Sequence, residues 1–433
     1  MRAARRTAAL LVWLTLATLT TGAPLMAQDS RADDANASQP PAAQPLADDR
    51  SRVVFRDHPS LRLGRHVQID LRAKMDVLHR QSPEDGPEAS SFGLDRTRIG
   101  LEGVLFDRVE FQLERELDAR IPWRDVYVDL RAADGLRVRG GKFKVPFSLD
   151  RLTSPTRLDF VNRSRIGEAL APGRAVGMGV HGRVWRRAFA YNVGFFAHGG
   201  DDARVAGSKV TGRTGAARLT MRPSSFFGAK PDGRALEIGV NATLGDVQEG
   251  LHSLRAQTTS GQPLADRVYV RGQRIRLGLD AAWSFRSMSV KSEIVRMSDE
   301  RLGQGLMGDD LPPLVAQGWY VSGSWVATGE QKSADLEPRR PLFRGGVGAV
   351  EIAARLERIR YSSGSDELTA SRSPRAARID GADDRVWTLG VNWYLNRWIK
   401  LQANLVRDAL GRESTEPDTH GDWTRLVRVQ FSM

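Results

Sequence analysis

The chain predicts an all-β fold, a transmembrane antiparallel β-barrel of about 16 strands with a constriction loop folded inward. Three observations carry this. LRLGRHVQIDLRAKMDV at 61–77 sets Leu61, Leu63, Val67, Ile69, Leu71, Ala73, Met75 and Val77 against alternating polar residues, and a period of two held this long marks a β-strand. Similar segments recur at the roughly 9–11 residues a tilted strand needs to cross a bilayer, against about 5–6 in a soluble sandwich. Beyond the N-terminus, no run of about 18 apolar residues offers a membrane helix instead.

The elements follow in order. Arg2, Arg5 and Arg6, an apolar run from Ala8 to Leu19 and small residues up to Met26-Ala27-Gln28 predict a signal peptide at 1–27. Residues 28–56 open with too little apolar content to fold and read as a disordered linker, and the barrel is expected at 57–433. Alternation places strands near 61–77, 92–106, 108–118, 123–131, 135–143, 175–185, 188–197, 212–222, 234–244, 272–284, 286–297, 317–328, 346–361, 385–395, 398–408 and 423–433. An even number returns both ends to one side and leaves no open edge in lipid. Phe189, Tyr191, Val193 and Phe195, like Trp387, Leu389, Val391 and Trp393, form outward apolar rows. Trp319, Trp325, Tyr394, Trp398 and Trp423 suit interfacial girdles. The connections at 144–174 and 245–272 exceed the roughly 12–15 residues beyond which a loop is usually functional or disordered, and Pro146, Pro155 and Pro172 restrict the first. Residues 299–313 and 362–384 read as extracellular loops, and 332–343 as a further excursion or an enlarged turn.

A formal net charge of +12 calls for anionic partners: nucleic acid, an anionic membrane face or anionic solutes. Its placement on strand faces and in one loop favours small anionic solutes, with no nucleic acid expected. Arginine suits oxyanions because its planar fork of donors matches phosphate and carboxylate. The candidate pore wall comprises Arg62, His66, Arg72, Arg96, Arg98, Glu110 and Arg124, and the candidate solute-binding loop carries Lys142, Lys144, Arg151, Arg157, Arg163 and Arg165. Acids such as Asp70, Asp76, Glu102, Glu114 and Asp129 share the wall faces, so a wall arginine is expected to brace the lumen more often than to touch solute. The loop has fewer acids to neutralise it. The 7 histidines show no metal-ligand spacing, and HExxH, GxSxG and P-loop signatures are missing, so neither an enzyme nor a cofactor or metal site is expected. Cysteine is absent, which removes disulfides and thiolate sites.

Four passages together resemble the phosphate-selective porin O/P family over nearly the whole barrel: LDRTRIGLEG at 94–103, GKFKVPFSLDRLTSPTRLDFVNRS at 141–164, WTLGVNWYLNRWIKLQANLVR at 387–407 and LVRVQFSM at 426–433. The resemblance implies a homotrimeric channel in the bacterial outer membrane, set in lipid and lipopolysaccharide. It also implies that the loop after the fifth strand folds inward and that phosphate, pyrophosphate or polyphosphate diffuses through. Arg151 and Arg163 fall where the family places basic loop residues, Arg96 where it places a wall arginine, and His66 where a wall arginine is expected. The departures are Glu110, where phosphate-specific members carry a lysine, and Arg124, near where they carry an acid. The 245–272 connection bears only Arg255, Arg267 and Arg271, and Phe431 lies two places before the end. The alternatives are a weakly selective general diffusion porin, a structural outer-membrane barrel without conductance and an exported β-rich binding protein.

Overall fold

In the computed structural model, buried polar or charged side chains and exposed apolar ones alternate along most of the long strands. Glu351, Asn392 and Arg428 are fully enclosed, while Leu389, Val391 and Ile352 are about half exposed on the opposite face. A soluble sheet does the reverse, so this inversion identifies a wall with lipid outside and a polar lumen inside. The structure describes residues 51–433 except 56, 83–90, 120–121, 199, 201–211, 228–233, 253–256, 334, 365–367 and 413–422. The expected signal peptide, most of the expected linker and Arg255 lie outside the described residues.

Two short strands, β1 (Arg52–Phe55) and β2 (Pro59–Leu63), precede the barrel. It is formed by β3 (Val67–Gln81), β4 (Ser91–Leu105), β5 (Val109–Glu116), β6 (Trp123–Ala133), β7 (Leu136–Lys144), β8 (Arg174–Val184), β9 (Phe189–Phe196) and β10 (Thr214–Met221). It continues through β11 (Arg234–His252), β12 (Val268–Phe285), β13 (Met288–Arg301), β14 (Leu311–Val326), β15 (Ala349–Ser363), β16 (Ala382–Tyr394), β17 (Ile399–Arg412) and β18 (Trp423–Ser432). These 16 strands pair antiparallel with their neighbours, and β18 closes on β3 from Lys74↔Ser432 to Gln81↔Arg425. No backbone edge is left for lipid.

The run at 61–77 is corrected. It is not one strand but a hairpin, β2 and the start of β3, turning at Gly64–His66 with Gly64 at φ 57. Leu63 lies opposite Val67, so the two arms keep the same faces and the alternation passes through the turn unbroken. The end of the expected linker is likewise β1, paired with β2. On the long-loop side β11, β12 and β13 run past what a crossing needs, and the loops expected at 245–272 and 299–313 shrink to 253–267 and 302–310. On the opposite side most turns are tight, but the connection from β14 to β15 spans 327–348.

Candidate anion constriction

The loop between β7 and β8 is held inside the lumen by the wall. Its short helix Leu149–Leu152 is capped by Ser148, whose Oγ accepts from Arg151 N at 3.2 Å. The helix Arg165–Ala169 is capped by Ser164, whose Oγ accepts from Gly167 N at 3.1 Å. Between them the backbone is irregular, so its carbonyls need partners from elsewhere. Wall cations supply them. Arg428 Nη1 donates to Val161 O (3.0 Å), Arg355 donates to Asn162 O (3.1 Å) and Arg163 O (3.2 Å), and Lys400 Nζ donates to Thr156 O (2.9 Å). Loop amides donate in turn to wall side chains: Val161 N to Asn404 Oδ1 (2.7 Å) and Arg165 N to Glu357 Oε2 (2.6 Å). Phe147, Ile166 and Leu170 pack with Val295, Met297, Tyr320, Ile359 and Tyr361 into an apolar cluster. The loop is thereby anchored to side chains of β11, β13 and β15–β18, and the charged faces of β3–β8 lie across from that anchorage.

Where the free side of the loop meets that wall, Arg96, Arg98, Lys144, Arg151, Arg163 and Arg174 stand close enough to repel one another. Burial pushes Arg163 down to about 10; Asp150 and Glu168 oppose the shift, and the like charges of Arg151 and Arg96 add to it. Acids share the cluster. Arg98 donates to Glu116 (2.6 Å) and Glu114 (3.1 Å), Arg124 to Glu116 (3.2 Å), Lys74 to Glu114 (2.6 Å) and Arg174 to Asp125 (2.6 Å), and Arg96 pairs with Asp76. An oxyanion entering here meets a field of several cations held in place by carboxylates, which suits weak serial binding better than one tight site.

The sequence-selected residues divide into distinct roles. Arg151 faces the cluster and reaches Glu168 at 3.2 Å, a carboxylate more than half exposed. Arg163 lies in the cluster, but its guanidinium donates to Thr153 O (2.8 Å) and to Asp150 O, bracing its own loop. Lys144 does similar work through Leu152 O (2.7 Å) and Thr153 O (3.2 Å). Arg157 forks onto Asp335 of the 327–348 connection at 2.8 and 2.6 Å. Arg165 is an anchor, bound to Thr259 Oγ1 (2.8 Å) and Asp408, with Asp384 at 3.4 Å.

Two placements differ from expectation. Lys142 lies in register with Val126 and Val176, on the outward face where Val176 is 54% exposed, because its neighbour Phe143 takes the inward face and packs with Tyr127 and Ala175. His66 is an exposed tip residue of the β2–β3 turn, 3.7 Å from Asp107, and not part of the wall. Arg62 sits on β2, opposite Gln68 and beside the closed ring. Arg72 bonds Glu102 (2.6 Å) and approaches His58 Nδ1 (3.0 Å), and Glu110 takes Arg137 at 2.6 Å.

Sequence reasoning missed Arg174, which the β7–β8 register sets opposite Lys144. It also missed Asp159, a loop carboxylate caught between Lys291 (2.7 Å) and Lys332 (2.6 Å). The enlarged 327–348 connection was the available signal for the second.

A family described as "Phosphate-selective porin O and P" matches residues 67–432. Porin O of Pseudomonas aeruginosa is 26% identical over 221 residues, covering 49% of this chain and 44% of that protein, so the match spans under half of the relative's length. An uncharacterized protein of Caulobacter vibrioides is 26% identical over 349 residues, 75% of this chain and 67% of its own. Among solved structures, OprB of Pseudomonas putida superposes with a TM-score of 0.53 at 12% identity, covering 85% of this chain and 94% of that one. The outer membrane channel DcaP of Acinetobacter baumannii gives 0.51 at 12%, covering 85% and 98%. The trimer form of Vibrio cholerae OmpT gives 0.52 at 9%, covering 85% and 100%; at these identities the likeness is one of fold. With the family's match running from the first strand of the closed ring to the last, the chain belongs to the phosphate-selective porin O and P family and is a non-enzymatic porin of the bacterial outer membrane.

Proposed function

We propose that this porin passes small anions by diffusion, with phosphate and related oxyanions among its solutes. The observation that supports this reading is the gathering of Arg96, Arg98, Lys144, Arg151, Arg163 and Arg174 where the inward loop meets the β3–β8 wall. An anion there exchanges part of its hydration shell for guanidinium and ammonium donors and is handed between them, driven by its gradient. Full-length protein in a planar bilayer under a KCl gradient is expected to give a reversal potential of anionic sign; a cationic sign overturns the reading. Adding phosphate tests the finer claim, since a phosphate-binding constriction shows a saturable fall in chloride current. An unchanged current favours a weakly selective diffusion porin, which the extensive pairing of wall bases with acids also fits. We further infer a homotrimer, by analogy with the trimer form of OmpT, checked by the mass of the detergent-extracted protein before and after heating.

A further inference from the structure

Outward-facing arginines take no part in lining the lumen. Arg296, Arg358, Arg360, Arg385, Arg407 and Arg425 lie on β13 and β15–β18, on the same faces as the exposed Ile294, Leu356, Leu389, Leu405 and Val427. Each stands toward the long-loop end of its strand. Register sets them side by side: Arg358 lies directly opposite Arg385, and Gln317 separates Arg296 from Arg360. Trp387 and Trp423 flank Arg407, whose guanidinium lies 6.0 Å from the Trp387 ring. Arg358 and Arg360 converge on the single carboxylate of Asp383, at 2.8 and 3.7 Å.

Two physical constraints act on this belt. An arginine on the lipid face of a barrel costs about 2–4 kcal/mol at the bilayer midplane and about 0–1 near the interface, so the belt marks the level of the outer headgroups. Like charges directly opposite in a sheet are destabilising, and an anion bridging them reverses the sign of that contact. A phosphate monoester matches the guanidinium fork. Directly below, Leu356, Leu389, Val391, Leu405 and Val427 offer a continuous apolar surface to acyl chains.

We propose that the β13–β18 sector binds a phosphorylated, multiply acylated glycolipid of the outer leaflet. Its phosphates sit between Arg358, Arg385 and their neighbours, and its acyl chains lie along the apolar band. Apolar surface contiguous with the arginines favours a lipid phosphate over free phosphate.

The test is native mass spectrometry of full-length porin in detergent, incubated with diphosphoryl lipid A, with its dephosphorylated form, or with the former plus excess inorganic phosphate. Wild type is expected to retain the phosphorylated lipid about tenfold or more better than the dephosphorylated one, with no displacement by inorganic phosphate. The double variant R358E/R385E is expected to lose that preference while keeping wild-type conductance. Equal retention of the two lipids, displacement by inorganic phosphate, or wild-type retention by a conducting double variant overturns the proposal. Should that variant fail to fold, the two lipids on wild type decide alone.

Discussion

Lys332 Nζ donates to Asp159 Oδ1 across 2.6 Å, tying the β14–β15 connection to the inward loop from the side opposite the loop's own origin. Lys291 holds the other carboxylate oxygen at 2.7 Å, and Lys332 also pairs with Glu351. Burial alone raises the Asp159 carboxyl, but Lys291 and Lys332 overcome it and hold it well below the usual range. Burial likewise lowers Lys332, and Asp159 with Glu351 more than offsets it. Lys332→Ala leaves two buried acids short of a partner, with an expected loss of about 3 kcal/mol because Lys291 still serves one of them. Urea unfolding of the folded barrel measures that loss, and open-channel noise is expected to rise as the loop loosens.

Arg151 and Arg163 should separate selectivity from stability. Arg151 points at the cluster with an exposed partner, Glu168, so Arg151→Glu is expected to lower anion preference with stability changed by at most about 1 kcal/mol. Arg163 holds the carbonyls of Asp150 and Thr153, and Arg163→Glu buries an acid against them. That variant is expected to lose both selectivity and heat resistance. Reversal potentials and heat-modified gel migration distinguish the two; equal effects on stability would remove the division of roles.

What the sequence conveys here is face and type, and what it withholds is pairing. The 387–407 hairpin was legible because Trp387, Leu389 and Val391 alternate with residues that turn out buried, and alternation is a local property. The same rule misread 61–77, since a turn that sets Leu63 opposite Val67 keeps the period while reversing the chain. The loop bases were legible as bases. That Arg163 serves carbonyls of its own loop depends on how that backbone coils, and that Asp159 meets Lys332 depends on a contact 173 residues distant. Neither partner is named by the local sequence.

The clasp should be indifferent to pH across the neutral range. Asp159 is depressed when folded, so its contribution is complete above about pH 4 and fades only as pH falls through its lower folded value. Lys332 is raised, so its contribution is complete below about pH 10 and fades as pH climbs through its higher folded value. Arg163 has the opposite sign: its charge costs stability below about 10, a cost relieved as pH rises through that point. Burial and the neighbouring Arg72 lower His58 below its ordinary value, with Asp70 and Glu102 opposing the shift. The Asp159–Lys332 ion pair is therefore expected to hold from about pH 5 to about pH 9, checked by the stability gap between wild type and Lys332→Ala across that range. A step near neutrality in single-channel records would assign control of the loop to another group.

Glu110 offers a way to raise selectivity. Its carboxylate sits 2.6 Å from Arg137 and 3.8 Å from Arg131, largely enclosed by the wall. Glu110→Gln keeps the shape and a hydrogen-bonding oxygen but removes the charge that offsets both arginines. Because Arg137 keeps a neutral acceptor, the expected stability loss is modest, about 1–3 kcal/mol. The freed positive charge should move the reversal potential further in the anionic direction. The size of that move reports how closely the permeating ion passes this part of the wall, and a null result at full conductance places the ion's path beyond the reach of Glu110, on the side of the lumen nearer Arg151.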